Sequence, residues 1–256
     1  MKTTLTIIGS GTCVPSLRRS ACSSLIEFGG VKLLLDLGPG TMRRLLEVGV
    51  GIFDISHIFF SHFHPDHTAE LVPFLFATKY PDAGARKLPL TILAGKGFTA
   101  FFNGLKAVHG NWIDLESGML DIVELDNQGY DSHHFEQFQV ESMPVDHRDE
   151  SVACKITGPD QKQIVYSGDT DLSENLVTLS RNADLLLCES AFPDGNKVAG
   201  HLTPSLAGRV AQRAGVGKLV LTHFYPDCDR VDVEQECRKT YQGPLNLAED
   251  LQRIEL

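Results

Sequence analysis

Residues 55–60, Ile-Ser-His-Ile-Phe-Phe, form a mostly apolar run that passes without a break into Ser61-His-Phe-His-Pro-Asp-His. The run predicts a short buried strand, and the apolar positions Leu71, Val72, Leu75 and Phe76 beyond it predict a helix. Three imidazoles and a carboxylate thus stand on a turn from the C-terminal end of a strand into a helix, where side chains converge and backbone N–H groups are free. Polar groups at a buried strand end cost free energy unless something pairs with them, so this heptapeptide demands a fold that supplies partners. On extended backbone alternate residues share a side, which lets His62 and His64 reach one cation. Asp66 and His67, at the start of the helix, face a neighbouring position and can serve a second. Imidazole and carboxylate suit zinc, and also manganese or iron; the spacing does not choose among them.

The chain around this cluster reads as strands followed by helices, twice over. Leu5–Ile8, Ser24–Phe28 and Val31–Leu35 are predicted strands, with Gly29-Gly30 as a two-residue hairpin turn and Asp36 ending the third strand. Residues 39–48 predict a helix stopped at Gly49. The second half repeats the scheme, with strands over Phe138–Pro144, Val152–Thr157, Gln163–Ser167, Leu185–Cys188 and Leu219–Thr222. Between the last two lies a helix with Thr203 as its N-cap and Pro204 in its first turn. Phe98, Phe101 and Phe102 read as the core face of a further helix, Gly9-Ser-Gly-Thr as a tight turn near the metal edge, and His133-His134 as solvent-facing.

At 256 residues and 42% hydrophobic, the chain can bury one substantial core and is read as a single domain over residues 1–256. The first nine residues hold too few apolar side chains for a signal peptide, and no apolar run is long enough to span a membrane. Six scattered cysteines without a Cys-x-x-Cys pair suit a reducing compartment, so the expected location is cytoplasmic. The net charge of −10 argues against a nucleic-acid partner held by a broad basic face.

Three further residues occupy strand-end positions and are candidates for the remaining ligands: His147 after Val145, Asp169 after Val165-Tyr-Ser-Gly, and His223 after Val220-Leu-Thr. Taken singly each has a bland reading, as a loop residue, a turn former and a capped core histidine. A dinuclear site needs a carboxylate able to bridge two cations, and Asp169 is the best placed.

The motifs Leu35-Asp-Leu-Gly-Pro-Gly-Thr, Ile58-Phe-Phe-Ser-His-Phe-His-Pro-Asp-His, Tyr166-Ser-Gly-Asp-Thr, Cys188-Glu-Ser-Ala-Phe, His201-Leu-Thr and Leu221-Thr-His-Phe resemble the metallo-β-lactamase superfamily, and within it the ribonuclease Z-like branch. The resemblance spans nearly the whole chain and implies an α/β, four-layer αβ/βα sandwich. It also implies that His62, His64 and His147 hold one zinc, that Asp66, His67 and His223 hold the other, and that Asp169 bridges them. Glu189 and His201 match a carboxylate–imidazole pair that handles the scissile phosphate and leaving group. Asp66, Glu189 and His201 are the expected catalytic residues: Asp66 orients the attacking water, and His201, oriented by Glu189, protonates the leaving group. One departure is informative. Enzymes of that branch carry a long arm gripping transfer RNA between the positions matching His147 and Asp169, whereas here these lie only 22 positions apart. The missing arm and the acidic charge argue against transfer RNA as the substrate.

The expected function is therefore that of a dinuclear metal-dependent phosphodiesterase acting on RNA or on a small cyclic or linear nucleotide. The rivals are a thioester, lactone or sulfate-ester hydrolase on the same fold, with a pocket built from Pro73–Trp112, and a non-catalytic or di-iron binding module. An exposed apolar face would support a homodimer, as in the resembling branch.

Overall fold

The computed structural model describes residues 2–79 and 86–256. Fourteen strands in the described residues form two seven-stranded sheets. The first contains β1 (Thr4–Gly9), β2 (Ser23–Phe28), β3 (Val31–Leu35), β4 (His57–Phe60), β5 (Leu90–Gly95) and β6 (Leu120–Leu125). The second contains β7 (Asp131–His134), β8 (Gln139–Pro144), β9 (Val152–Thr157), β10 (Gln163–Tyr166), β11 (Leu185–Glu189), β12 (Leu219–Thr222) and β13 (Leu245–Leu247). The last strand, β14 (Arg253–Glu255), returns to the first sheet and pairs with β1, Leu5 opposite Ile254. The chain end thereby clasps the two halves together.

Both sheets use the same device. Antiparallel hairpins lead into parallel strands, β3 to β6 in one sheet and β10 to β13 in the other. Parallel strands covered on both faces are expected to be apolar throughout, and β3 and β4 show why the sequence runs look continuous. Leu33, Leu35 and Phe59 join the cluster between the sheets, with Val140, Ile164 and Leu187 from the opposite side. The alternate residues Leu34, Ile58 and Phe60 pack instead with Leu45, Phe74 and Phe98, which belong to helices α1 (Thr41–Glu47), α3 (Leu71–Lys79) and α4 (Phe98–His109). Helices α5 (Glu174–Leu179), α6 (Pro204–Ala214) and α7 (Val233–Arg238) serve the second sheet; α6 inserts Ala207, Val210 and Ala211 into its core. The result is the expected αβ/βα sandwich.

Several local expectations shift. Gly29 and Gly30 form the β2–β3 turn at φ of 55° and 92°, as the hairpin requires. The predicted helix at residues 39–48 contracts to α1, because Gly40 turns left-handed at its entry. Thr203 stands at the α6 N-cap position, but its hydroxyl makes no capping bond there. Phe98 and Phe102 are buried as expected, whereas Phe101 is only partly covered and stacks on Phe63. His133 is not a free solvent-facing ring: it lies in β7 against Asp131, and only His134 is exposed. Five cysteines are buried and Cys13 is exposed. Among the described residues no helix is long and apolar enough to cross a membrane.

Candidate metal centre

The C-terminal ends of β3, β4, β10, β11 and β12 meet at one edge of the sandwich, and each delivers a polar side chain: Asp36, the His62–His67 segment, Asp169, Glu189 and His223. A short helix, α2 (Pro65–Thr68), begins directly after His64 and holds Asp66 and His67. His147 arrives from the loop after β8. The edge is stitched across the two sheets by Val152 N donating to Ser61 O at 2.9 Å and Phe224 N donating to Ser10 O at 3.0 Å. Gly168 lies at φ 55°, where a β-carbon would collide with that of Ser61, so only glycine lets the Asp169 loop approach this closely.

Two groups of ligand atoms face each other. His62 Nε2 and His147 Nε2 lie 3.0 and 3.2 Å from His64 Nδ1. His67 Nε2 lies 3.2 Å from His223 Nε2, with Asp66 Oδ2 3.7 Å from the latter. Asp169 stands between the groups with one oxygen toward each. Its Oδ1 is 3.4 Å from both His67 Nε2 and His223 Nε2, while its Oδ2 is 3.7 Å from His62 Nε2 and 3.9 Å from His147 Nε2. The structure thus brings together all seven residues read from the sequence as metal ligands.

The hydrogen-bond partners of the rings decide which atoms are lone pairs. Ser61 Oγ donates to Asp36 and accepts from His62 Nδ1 at 3.1 Å, leaving His62 Nε2 as an acceptor. His147 Nδ1 donates to Gly200 O at 2.9 Å, and His67 Nδ1 to Asp36 Oδ2 at 2.7 Å. The lone pairs of His62, His147 and His67 therefore point into the cluster, and the buried Asp169 Oδ1 makes no hydrogen bond. Such an arrangement is repulsive on its own and is what a cation resolves: the edges of a tetrahedron of ~2.0–2.1 Å Zn–N bonds are ~3.3–3.4 Å long, close to the separations seen. The donor set fits divalent metal.

The electrostatics agree. Burial, reinforced by neighbouring His67, holds His62 well below its ordinary pKa, and burial also lowers His147, so both favour the neutral form that a metal ligand needs. Burial opposes charge on His67, but Asp169 and Asp36 on its two sides outweigh it and raise its pKa well above the usual value. Positive charge is favoured there. Burial would raise the Asp66 carboxyl, yet contacts with His223 and His67 bring it to about 2, and Asp169 is likewise held well below the carboxylate range by His223 and His67 against its burial.

Glu189 is 1% exposed and its Oε1 lies 3.2 Å from His201 Nδ1, accepting also from Thr170 N. Burial raises the Glu189 pKa. Burial opposes a charge on His201, but the Glu189 contact overcomes it and the His201 pKa is raised. His201 Nδ1 is 3.9 Å from Asp169 Oδ2, so the pair adjoins the histidine–aspartate cluster.

One residue escaped the sequence reading. Asp36, read there as a strand terminator, accepts from Ser61 N and Ser61 Oγ at 2.8 Å each, from His67 Nδ1, and from Tyr166 OH at 2.6 Å. It is fully buried with φ 58°, a conformation rarely held by a non-glycine residue. With its oxygens taken up by these bonds it fixes the positions of Ser61 and His67. The sequence showed only that it ends a buried strand; that this strand lies parallel to the one bearing the histidines is visible in the structure alone.

Fold and site together define a metal-dependent hydrolase of the metallo-β-lactamase fold. More specifically, the family model described as Anti-Pycsar protein Apyc1 matches residues 3–238, and the chain belongs to that family. Among curated relatives, ribonuclease Z of Streptomyces avermitilis is 31% identical, with 98% of this chain and 96% of that protein aligned; the Streptomyces coelicolor ribonuclease Z is 30% identical with the same coverage. The short form of human tRNase Z superposes with a TM-score of 0.77 at 25% identity over 98% of both chains. The metallo-β-lactamase fold protein YhfI from Bacillus subtilis matches in fold over 100% of both chains, with a TM-score of 0.86 at 24% identity. The resemblance to the ribonuclease Z-like branch therefore holds.

Proposed function

We propose that the chain is a dinuclear phosphodiesterase forming a single hydrolase domain over residues 1–256, with zinc as its metal and the phosphodiester of RNA or of a small cyclic or linear nucleotide as its substrate. The observation that carries this reading is the split of Asp169, one oxygen toward each cluster, beneath the Glu189–His201 pair. His62, His64 and His147 would hold one cation, Asp66, His67 and His223 the other, and Asp169 both. Two bound cations supply Lewis-acid stabilisation of the phosphoryl oxygens and acidify water. Asp66 orients the attacking water. Glu189 fixes His201 through Nδ1, and His201 Nε2 delivers a proton to the departing oxygen.

The 22 positions from His147 to Asp169 are taken up by β9 and β10, and the net charge of −10 supports a small substrate over transfer RNA. The cysteine usage supports a cytoplasmic location. The rival with a pocket in Pro73–Trp112 gains no support: an apolar pocket of about 480 Å³ lies there among Val72, Pro73, Phe76 and Trp112, but no residue of the metal edge lines it. Residues 80–85 of that segment lie outside the described ones. A cleft of about 390 Å³ lined by Thr12, Cys13, Pro39 and Asp66 adjoins the site instead.

The test is elemental analysis of the purified protein followed by assay with zinc or manganese against bis(p-nitrophenyl) phosphate, a dinucleotide, a thioester and a lactone. Expected are two metals per chain, cleavage of bis(p-nitrophenyl) phosphate, and cleavage of a dinucleotide, whose alkoxide leaving group needs a proton, that His201→Ala lowers by ~10²-fold or more in kcat with metal content unchanged. Turnover of the thioester or lactone alone would sink the phosphodiesterase reading, and an unchanged kcat for the dinucleotide would remove His201 from the chemistry.

A further inference from the structure

The loop that carries His201 is held by a carboxylate outside both metal clusters. Asp171 Oδ2 accepts from Gly200 N at 3.0 Å and from Lys197 Nζ at 2.8 Å; the same ammonium reaches Val198 O at 2.8 Å. Gly200 then turns left-handed at φ 83°, and its carbonyl accepts from His147 Nδ1 at 2.9 Å. A β-carbon on Gly200 would lie 3.1 Å from that nitrogen, so the loop backbone rests against the ring. The next residue is His201. Asp171 is itself anchored beside His147, its N–H donating to Asp146 O at 2.8 Å.

We infer that Asp171 is a positioning residue that acts through Gly200 on two functions at once, setting the tautomer and aim of His147 as a metal ligand and the placement of His201 over the scissile bond. The deduction rests on the metal and leaving-group roles proposed above for these two histidines. A metal-ligating imidazole needs its second nitrogen engaged by an acceptor, and the acceptor here is a main-chain carbonyl whose own position depends on one carboxylate. Loss of that carboxylate frees residues 197–201, so the His147 Nδ1–H bond and the His201 Nδ1 contact with Glu189 loosen together. Lys197 assists by ion pairing, with both side chains about one-third exposed. Its share is the smaller, because an exposed pair contributes little.

The experiment compares Asp171→Ala and Lys197→Met with the wild-type holoenzyme. Zinc affinity is measured by competition with a chromophoric chelator. The kcat ratio is measured for bis(p-nitrophenyl) phosphate, whose leaving group needs no proton, against a dinucleotide, whose alkoxide leaving group does. Asp171→Ala is expected to weaken zinc binding ~10-fold or more and to slow the dinucleotide disproportionately, with Lys197→Met intermediate. An Asp171→Ala protein with wild-type zinc affinity and an unchanged kcat ratio overturns the inference even if its melting temperature falls. So does an equal loss in both variants, since the ion pair would then be the operative contact. Failure of the wild type to cleave any diester would count against the proposed function, whereas the chelator titration would still decide the role of Asp171.

Discussion

Asp36→Asn isolates the contribution of a buried carboxylate whose oxygens are taken up by hydrogen bonds. The asparagine carbonyl can keep the Ser61 N–H bond, but its amide –NH2 then occupies the place of Oδ2, where Ser61 Oγ, His67 Nδ1 and Tyr166 OH all donate. The two hydroxyls can rotate and accept. The imidazole cannot, unless its proton moves to Nε2, the atom facing His223 and Asp169. Bonds to a charged acceptor contribute ~1.5–3 kcal/mol each against ~0.5–1.5 for neutral ones, so two weakened bonds and one inverted bond cost about 2–5 kcal/mol of stability. The wrong tautomer should also weaken cation binding by ~10–100-fold, the range for losing an orienting partner of a ligand histidine. Urea denaturation reads the first quantity and chelator competition the second. Zinc affinity within threefold of wild type in a destabilised Asp36→Asn protein would refute the reasoning, because Asp36 would then be a structural anchor only.

Asp169→Ala should bind fewer than two metals and lose turnover, as read by elemental analysis; two retained metals would exclude the bridging role. His57 offers a pH test away from the site. Burial against Phe135 and Phe138 lowers its pKa from 6.5 to about 4. Between these values the unfolded chain binds the proton and the native one does not, so this ring's contribution to stability grows as pH rises from ~4 to ~6.5 and is constant above. At ~1.4 kcal/mol per pH unit the full effect is at most about 3 kcal/mol, reduced by the ring's partial solvent access. His57→Phe should lose less stability than wild type between pH 7 and pH 4.5 in urea melts, and parallel losses would show that His57 does not contribute.

The His62–His67 segment was legible because its members are neighbours: two lie on one side of an extended chain and two open a helix, and backbone periodicity sets both relations without help from the rest of the molecule. The covered strands were legible for a similar reason, since β11 and β12 are buried throughout, β3 and β4 bury their last three residues, and these buried positions are largely apolar. Edge elements left weaker traces. β7 (Asp-Ser-His-His) is mostly half-exposed, and β13 and β14 have three residues each, so their pairing is supplied by long-range partners such as Leu221 opposite Leu247 and Leu5 opposite Ile254. Asp36 had no local mark of its role: its bond to His67 spans 31 positions and exists because parallel pairing of β3 with β4 sets Leu35 beside Phe59, leaving the residues that follow each strand at the same edge. The Asp171 contact with Gly200, 29 positions away, was equally hidden. By itself the sequence determined that a dense histidine–aspartate cluster had to sit at a strand-to-helix turn, because short-range geometry and the cost of unpaired buried polar groups leave little else. Which carboxylate stands between the two histidine groups, which ones orient rings, and which nitrogen of each ring faces the cluster were decided only when the two sheets packed, since hydrogen-bond direction depends on distances that no spacing along the chain specifies.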